Sequence, residues 1–237
     1  MREIGQKVLG IIGGMGPLAS QLFYRMIIEK TDAHCDQEHL NLILLNHATM
    51  PDRTTAIKSG DVEELYLKLF HDAKFLEAGG ADYIAIPCNT SHTLVERLQK
   101  NLKIPIINMI EESIMSIYCR YGENFKLGIL ATDGTIATKL YQEECKKRGI
   151  IPVIPTPKTQ EKVMRIIYDG IKDGNPIDME DFYDIDKEMK EAGCKAVIMA
   201  CTELSCFKEM NNLSDYYVDA MEVLAERSIV LCGKKLK

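Results

Sequence analysis

The sequence lacks a basic excess. Its 237 residues carry 29 Lys and Arg against 35 Asp and Glu, a formal net charge of -6. Affinity for nucleic-acid phosphates comes largely from Lys and Arg that displace counterions, so a general polyanion binder is excluded, no nucleic-acid partner is expected, and any bound anion must be held locally. The chain also lacks a C-x-x-C pair. Its eight cysteines, Cys35, Cys88, Cys119, Cys145, Cys194, Cys201, Cys206 and Cys232, are scattered without a His spacing suited to zinc. That pattern argues against a metal site and against a disulfide framework, and fits a reduced compartment. Long apolar runs are missing too. The opening MREIGQKVLGII is broken by Gly13-Gly14 before a signal-peptide pattern or a span of about 20 residues develops, so a cytoplasmic protein without membrane association is expected. No low-complexity linker or coiled-coil repeat occurs, which leaves any lobe boundary in an ordinary connection.

What is present is ordinary for a soluble enzyme or binding protein: 46% hydrophobic and 27% charged residues, over a length that suits one large domain or two lobes. Apolar runs of strand length alternate with amphipathic stretches of helix length, which predicts a parallel α/β architecture. Strands are predicted at 7–13, 41–46, 82–87, 104–109, 126–131, 151–155, 195–200 and 215–219. The stretch 61–78 is predicted helical, with Val62, Leu65, Leu69, Ala73 and Leu76 on one face and Asp61 as its N-cap.

An internal repeat organises these elements. LGIIGGMGPLASQLF at 9–23 aligns without gaps to LGILATDGTIATKLY at 127–141, and six of the fifteen positions are identical. EAGGADYIAIPCNTS at 77–91 pairs with EAGCKAVIMACTELS at 191–205 after a single-residue gap, bringing Cys88 and Cys201 to matching positions just after a strand. Two echoes in the same order point to duplication, since α/β units share apolar strands without needing shared Gly and Cys positions. In open parallel sheets ligands bind beyond the carboxyl ends of the strands, where both cysteines fall. Two lobes facing each other would present two thiols to one cleft.

Inverting an amino-acid stereocentre needs a base on one face of the α-carbon and an acid on the other, and a thiolate opposed to a thiol supplies that pair. The residues that follow each cysteine, Asn89, Thr90 and Ser91 in one copy and Thr202 and Glu203 in the other, offer polar groups and free backbone N–H groups at predicted helix starts. Gly14, Gly16 and Ala19 formally meet a G-x-G-x-x-A dinucleotide pattern. However, NLILLN runs into His47 where a ribose-binding acid belongs, and Pro17 marks a first helical turn. A turn around Met15 whose backbone amides face a carboxylate fits better, with Thr132 and Thr135 as the polar counterparts in the second copy. His92, four residues after Cys88, keeps open a Cys–His hydrolase. A non-catalytic two-lobe amino-acid-binding protein remains the alternative from another class.

The chain resembles the aspartate/glutamate racemase family, which acts without pyridoxal phosphate. The resemblance spans essentially the whole length through GIIGGMGPLAS, MPDRT at 50–54, PCNTSH at 87–92, LATDGT at 130–135, VMRIIYDGIKDGN at 163–175 and CTE at 201–203. It implies that Cys88 and Cys201 are the proton-transfer pair acting without a cofactor, and that Arg53 and Lys172 hold carboxylates of an acidic amino acid. It also implies two similar α/β lobes related by a pseudo-twofold axis, with the active site between them, in a homodimer. The lobes are expected at 1–115 plus 210–237 and at 116–209. The sequence departs from the family pattern at Ala200, where glycine usually precedes the second cysteine, and at Ala220, where proline usually follows the late aspartate.

Overall fold

The computed structural model describes residues 6–237. Residues 1–5, which begin the N-terminal stretch considered above, lie outside the described residues. The first half of the chain runs β1 (Val8–Gly13), α1 (Pro17–Lys30), β2 (Asn41–Asn46), α2 (Arg53–Ser59), α3 (Glu63–Ala78), β3 (Tyr83–Ala85), α4 (Val95–Gln99) and α5 (Met109–Tyr121). The second half runs β4 (Lys126–Leu130), α6 (Asp133–Thr138), α7 (Leu140–Lys147), β5 (Ile151–Val153), α8 (Pro157–Arg165), α9 (Met179–Glu191), β6 (Cys194–Met199), α10 (Thr202–Asn211), β7 (Tyr217–Asp219) and α11 (Ala220–Leu231). A 3-10 turn at Thr90–Leu94 precedes α4, and α8 continues into a π-helical segment, Ile166–Lys172.

Every pairing between the described strands is parallel. One sheet has the order β2-β1-β3 and the other β5-β4-β6-β7. The two orders superpose element for element, with β1, β2 and β3 matched by β4, β5 and β6. This is the repeat seen in the sequence. Each half ends alike: Ile106 makes a parallel bridge with Ile84 before α5, and β7 pairs with β6 before α11. The predicted strand at 104–109 is thus a single bridge, because Pro105 has no N–H to give to a ladder and α5 begins at Met109. The predicted helix at 61–78 starts two residues later, with Val62 at the N-cap position, while the Asp61 carboxylate accepts from the Glu63 N–H at 3.3 Å.

The central strands read as continuous apolar runs because both faces are covered. Between the sheets lies one shared core that joins Ile11 and Phe23 of the first half to Ile129 and Tyr141 of the second, with Ile114 of α5 and Leu224 of α11. The last helix of each half crosses to the other: α11 packs on α1 and α5, and α5 packs on α7. Burying each such Ile, Leu or Phe contributes about 1.5–3 kcal/mol, so the two halves are not separable units. Separate cores cover the outer faces, around Leu69 and Ile84 on one side and Met189 and Phe207 on the other. The expected lobe boundary at 209/210 falls between β6 and β7, which pair with each other, and α11 packs on α1 of the first half. A boundary after Asp219 keeps both packings intact.

Candidate active site

Cys88 follows β3 by three residues and Cys201 follows β6 by two, so both thiols lie beyond the carboxyl ends of their strands, as the topology rule requires. They line one cavity. Met15, Arg53, Asn89 and Thr90 contribute to it from the first half, and Thr132, Lys172 and Thr202 from the second. The halves meet tightly here. A Cβ on Gly134 would lie 2.9 Å from the Cα of Thr54, and one on Gly16, its counterpart in the repeat, would face Glu203 Oε1 at 3.6 Å. The cavity holds about 20 Å³, room for roughly one water molecule. It adjoins a wider pocket of about 310 Å³ that shares Asp52, Arg53, Lys172 and Glu203 with it and is walled further by the turn after β1 and the start of α1 and by Ala48, Met50 and Ile171.

The two thiols stand in different fields. Ser91 Oγ lies 3.1 Å from Cys88 Sγ and 3.5 Å from Met15 Sδ. Burial opposes the charge of Arg53, but Cys88 foremost, then Asp52 and Glu203, hold its pKa above the ordinary arginine value. Arg53 Nη1 donates to the Pro51 carbonyl at 3.1 Å, and its Nε is buried without a partner. Cys201 donates instead to the Glu203 carboxylate, with Sγ 3.0 Å from Oε2. Burial first and Glu203 second push the Cys201 pKa well above the usual thiol value, and Lys172 only partly counters them. Glu203 is 4% exposed, and its second oxygen, Oε1, has no partner. Lys172 sits 3.8 Å from Asp52 Oδ2 and 3.9 Å above the Tyr168 ring. Burial works against its ammonium, yet Glu203, Tyr168 and Cys201 hold its pKa above the ordinary lysine value. One thiol therefore faces a guanidinium and the other a carboxylate.

The remaining sequence-predicted residues divide into a lining layer and a supporting one. Asn89 and Thr90 line the cavity. Asn89 Oδ1 accepts from the Tyr141 hydroxyl at 2.5 Å, and Thr90 Oγ1 contacts Thr135 Oγ1 at 2.8 Å and Thr132 Oγ1 at 3.3 Å. Ser91 and Thr135 stand behind the lining residues, one against Cys88 and the other against Thr90. Thr132 caps α6 through the Thr135 N–H. In the turn after β1, where a carboxylate cradle was expected, one amide is taken up by the fold while Gly14, Gly16 and Pro17 line the wider pocket. Gly14 N–H donates to buried Ser20 Oγ at 2.8 Å, and Gly14 is at φ 89 with the His47 backbone so close that a Cβ would lie 2.4 Å from it. Only glycine fits there, for reasons of backbone conformation and packing.

His92 does not reach the thiol. Its Nε2 accepts from the Met109 N–H at 3.0 Å, which makes Nδ1 the protonated nitrogen donating to the Cys88 carbonyl at 2.9 Å. Burial lowers its pKa to about 4. Both ring nitrogens are used by the backbone, so the Cys–His hydrolase arrangement is absent. Asp52, Thr54 and Tyr168 line the cavity without having been predicted, and Glu203, read from the sequence as a polar residue after the second cysteine, lines it with its carboxylate against Cys201. Asp52, Tyr168 and Glu203 lie inside the motifs MPDRT, VMRIIYDGIKDGN and CTE, but nothing local in those motifs reports which of their side chains turns inward. All eight cysteines are free, and among the described residues no group of three or more His, Cys, Asp or Glu has a metal-binding arrangement. No described helix is long and apolar enough to cross a membrane.

The chain is similar over its full length to known proteins that share this plan. The broad specificity amino-acid racemase RacX of Bacillus subtilis is 26% identical over 227 residues, covering 94% of this chain and 96% of that protein. Among solved structures, the aspartate racemase of Picrophilus torridus matches with a TM-score of 0.83 at 30% identity, covering 98% of this chain and 96% of that one. An aspartate racemase homologue from Pyrococcus horikoshii matches with a TM-score of 0.76 at 25% identity, covering 95% and 99%. The profile of the family described as Asp/Glu/Hydantoin racemase matches residues 12–227. With two thiols on one cleft between duplicated halves and a family match over nearly the whole chain, this protein belongs to the Asp/Glu/Hydantoin racemase family and is an isomerase of the racemase type.

Proposed function

We propose that the protein racemises an acidic amino acid, aspartate or glutamate, by two-base proton transfer between Cys88 and Cys201, without metal or pyridoxal phosphate. The observation that carries this reading is the convergence of both thiols on one cavity with Arg53 and Lys172 on its wall. One thiol, as thiolate, removes the α-proton, and the opposed thiol returns a proton to the other face of the carbanion. The Glu203 contact favours Cys201 as the protonated member in the resting enzyme, which leaves Cys88 the partner that takes the first proton. The roles exchange in the reverse direction. Arg53 and Lys172 supply two cations for two carboxylates, Asn89, Thr90, Thr132 and Thr202 supply hydrogen bonds, and Met15 closes one wall. Substrate enters through the wider pocket and displaces the Lys172–Asp52 contact, since the space between the thiols holds no more than about one water. Once filled, the site excludes solvent from the carbanion. Assembly as a homodimer in the cytoplasm belongs to the same proposal.

Chiral chromatography of chelator-treated protein tests it: aspartate or glutamate should converge to a racemic mixture from either enantiomer. Tight binding without turnover across acidic and neutral amino acids would replace the racemase with a binding protein. Activity that disappears when a bound pyridoxal chromophore is removed would overturn the two-thiol mechanism.

A further inference from the structure

Tyr141 was not among the residues expected to serve the site. It lies on α7 in the second half of the chain, fully buried in the core between the sheets, and its hydroxyl donates to Asn89 Oδ1 at 2.5 Å. A tyrosine hydroxyl in such a core needs a partner. Nearby Ser113 gives its own proton to the Met109 carbonyl at 2.6 Å, so it has none to offer Tyr141. The other end of the Asn89 carboxamide, Nδ2, is buried without any partner, in a residue 3% exposed that lines the cavity between the thiols. One end of the amide is thus fixed by the core and the other is left free at the site.

The repeat sharpens the point. Tyr141 aligns with Phe23, which is equally buried, so the position itself asks only for an aromatic ring. Asn89 corresponds to Thr202, the residue that follows the other cysteine. The hydroxyl occurs in the copy whose ring meets an asparagine and is missing from the copy whose ring does not. A Phe at 141 would satisfy packing but leave the carboxamide free to rotate and present its oxygen to a substrate carboxylate.

We infer that Tyr141 is a positioning residue: its hydroxyl holds the Asn89 carboxamide so that the NH2 group is the donor presented to a carboxylate oxygen of the bound amino acid. The assignment rests on the racemase reading of the cleft. A carboxamide locked in this sense attracts a carboxylate, whereas the flipped one repels it.

The test uses Tyr141→Phe, Asn89→Ala and the double variant in the full-length protein, with succinate as a non-racemising carboxylate probe. Folding is checked by circular dichroism, and Phe23 shows that the aligned site of the other copy accepts the ring. Tyr141→Phe should raise KM for the amino acid and the succinate dissociation constant about three- to tenfold, with a smaller change in kcat. The double variant should be no worse than Asn89→Ala alone, because the hydroxyl acts only through that amide. In 15N-labelled wild type, the Asn89 side-chain NH2 resonances, identified by their loss in Asn89→Ala, should shift with succinate, and that shift should be lost in Tyr141→Phe. Unchanged KM and succinate affinity in folded Tyr141→Phe would overturn the inference, as would losses that multiply in the double variant. If the wild type fails to racemise any amino acid, the proposed function falls by itself. The inference is then decided by the NH2 resonances, and it falls with them if succinate leaves them unmoved.

Discussion

The two halves of the chain have one topology and two chemistries. In each, a cysteine follows the third strand of the repeat and its fourth successor ties the turn to the helix that closes the half. In the first half the tie is His92, which bridges the Cys88 carbonyl and the Met109 N–H at the start of α5. In the second it is Ser205, whose hydroxyl donates at 2.6 Å to Asp219, the N-cap of α11. The backbone connection is conserved between halves while its polar chemistry is replaced. The thiols follow the same pattern, with Arg53 at Cys88 and Glu203 at Cys201. In the proposed mechanism, duplication supplies two groups of the same type, and the different neighbours of each favour one placement of the shared proton over the other.

Removing either thiol breaks the comparison most severely. Cys88→Ala and Cys201→Ala should each fold and lose racemisation by at least about 10²- to 10⁴-fold. In heavy water, any residual α-proton exchange should favour opposite enantiomers in the two variants. Near-normal racemisation after loss of either thiol would refute the pair.

The two ties separate next, by pH. The His92 pKa is lowered to about 4, so the unfolded chain binds this proton near pH 6.5 whereas the folded chain resists it. The contribution is fully present above the unfolded value and is lost as pH falls toward 4, amounting to about 3 kcal/mol across that window. Urea unfolding of wild type and His92→Gln should show a shallower pH slope in the variant between those values. Equal slopes would show that His92 carries no such burden.

A smaller effect distinguishes the cations. Arg53→Ala should reduce kcat/KM by the equivalent of about 1.5–3 kcal/mol, the worth of a charge-assisted hydrogen bond. Arg97, whose exposed pair with Glu63 lies outside the cavity, should leave the kinetics unchanged when replaced by alanine. Equal behaviour of the two variants would remove Arg53 from the site.

The mildest change tests the inequality itself. Glu203 raises the Cys201 pKa by its charge and by the hydrogen bond it accepts. Glu203→Gln removes the charge, so the Cys201 thiolate should form at lower pH. Ultraviolet thiolate titration in a Cys88→Ala background, taken as the difference from the same protein with Cys201→Ala added, isolates this thiol from the six other free cysteines. A titration that stays put or moves upward would mean that Glu203 does not set the protonation of Cys201.

Much of this molecule was legible in the chain. Seven of the eight predicted strands formed, at closely similar positions, because parallel strands buried on both faces are apolar throughout and bounded by turn residues. The eighth, at 104–109, has the right apolar composition and reduces to the Ile84–Ile106 bridge, since Pro105 denies it a donor. The family departures at Ala200 and Ala220 are harmless in place: Ala200 is fully buried beside Cys201, and Ala220 occupies the first turn of α11, where either proline or alanine is accepted. His92 was the ambiguous residue. Its spacing from Cys88 suits a contact within one helical turn, but the turn there is 3-10 and points the ring at the backbone carbonyl instead of the sulfur.

By itself the sequence determined the alternation of strands and helices, the duplication, and the placing of two cysteines at the ends of equivalent strands. These follow from local periodicity and from identities carried at a nearly fixed offset. Only the tertiary structure decided which groups surround each thiol. Arg53 reaches Cys88 from α2, Lys172 approaches Glu203 and Cys201 from the π-helical segment, and Tyr141 crosses from the second half to hold Asn89 in the first. Periodicity records which face of an element is apolar, but not which element will lie across from it. The field at a buried thiol is weakly screened and is set chiefly by the charged and polar side chains that the packing brings nearest to it.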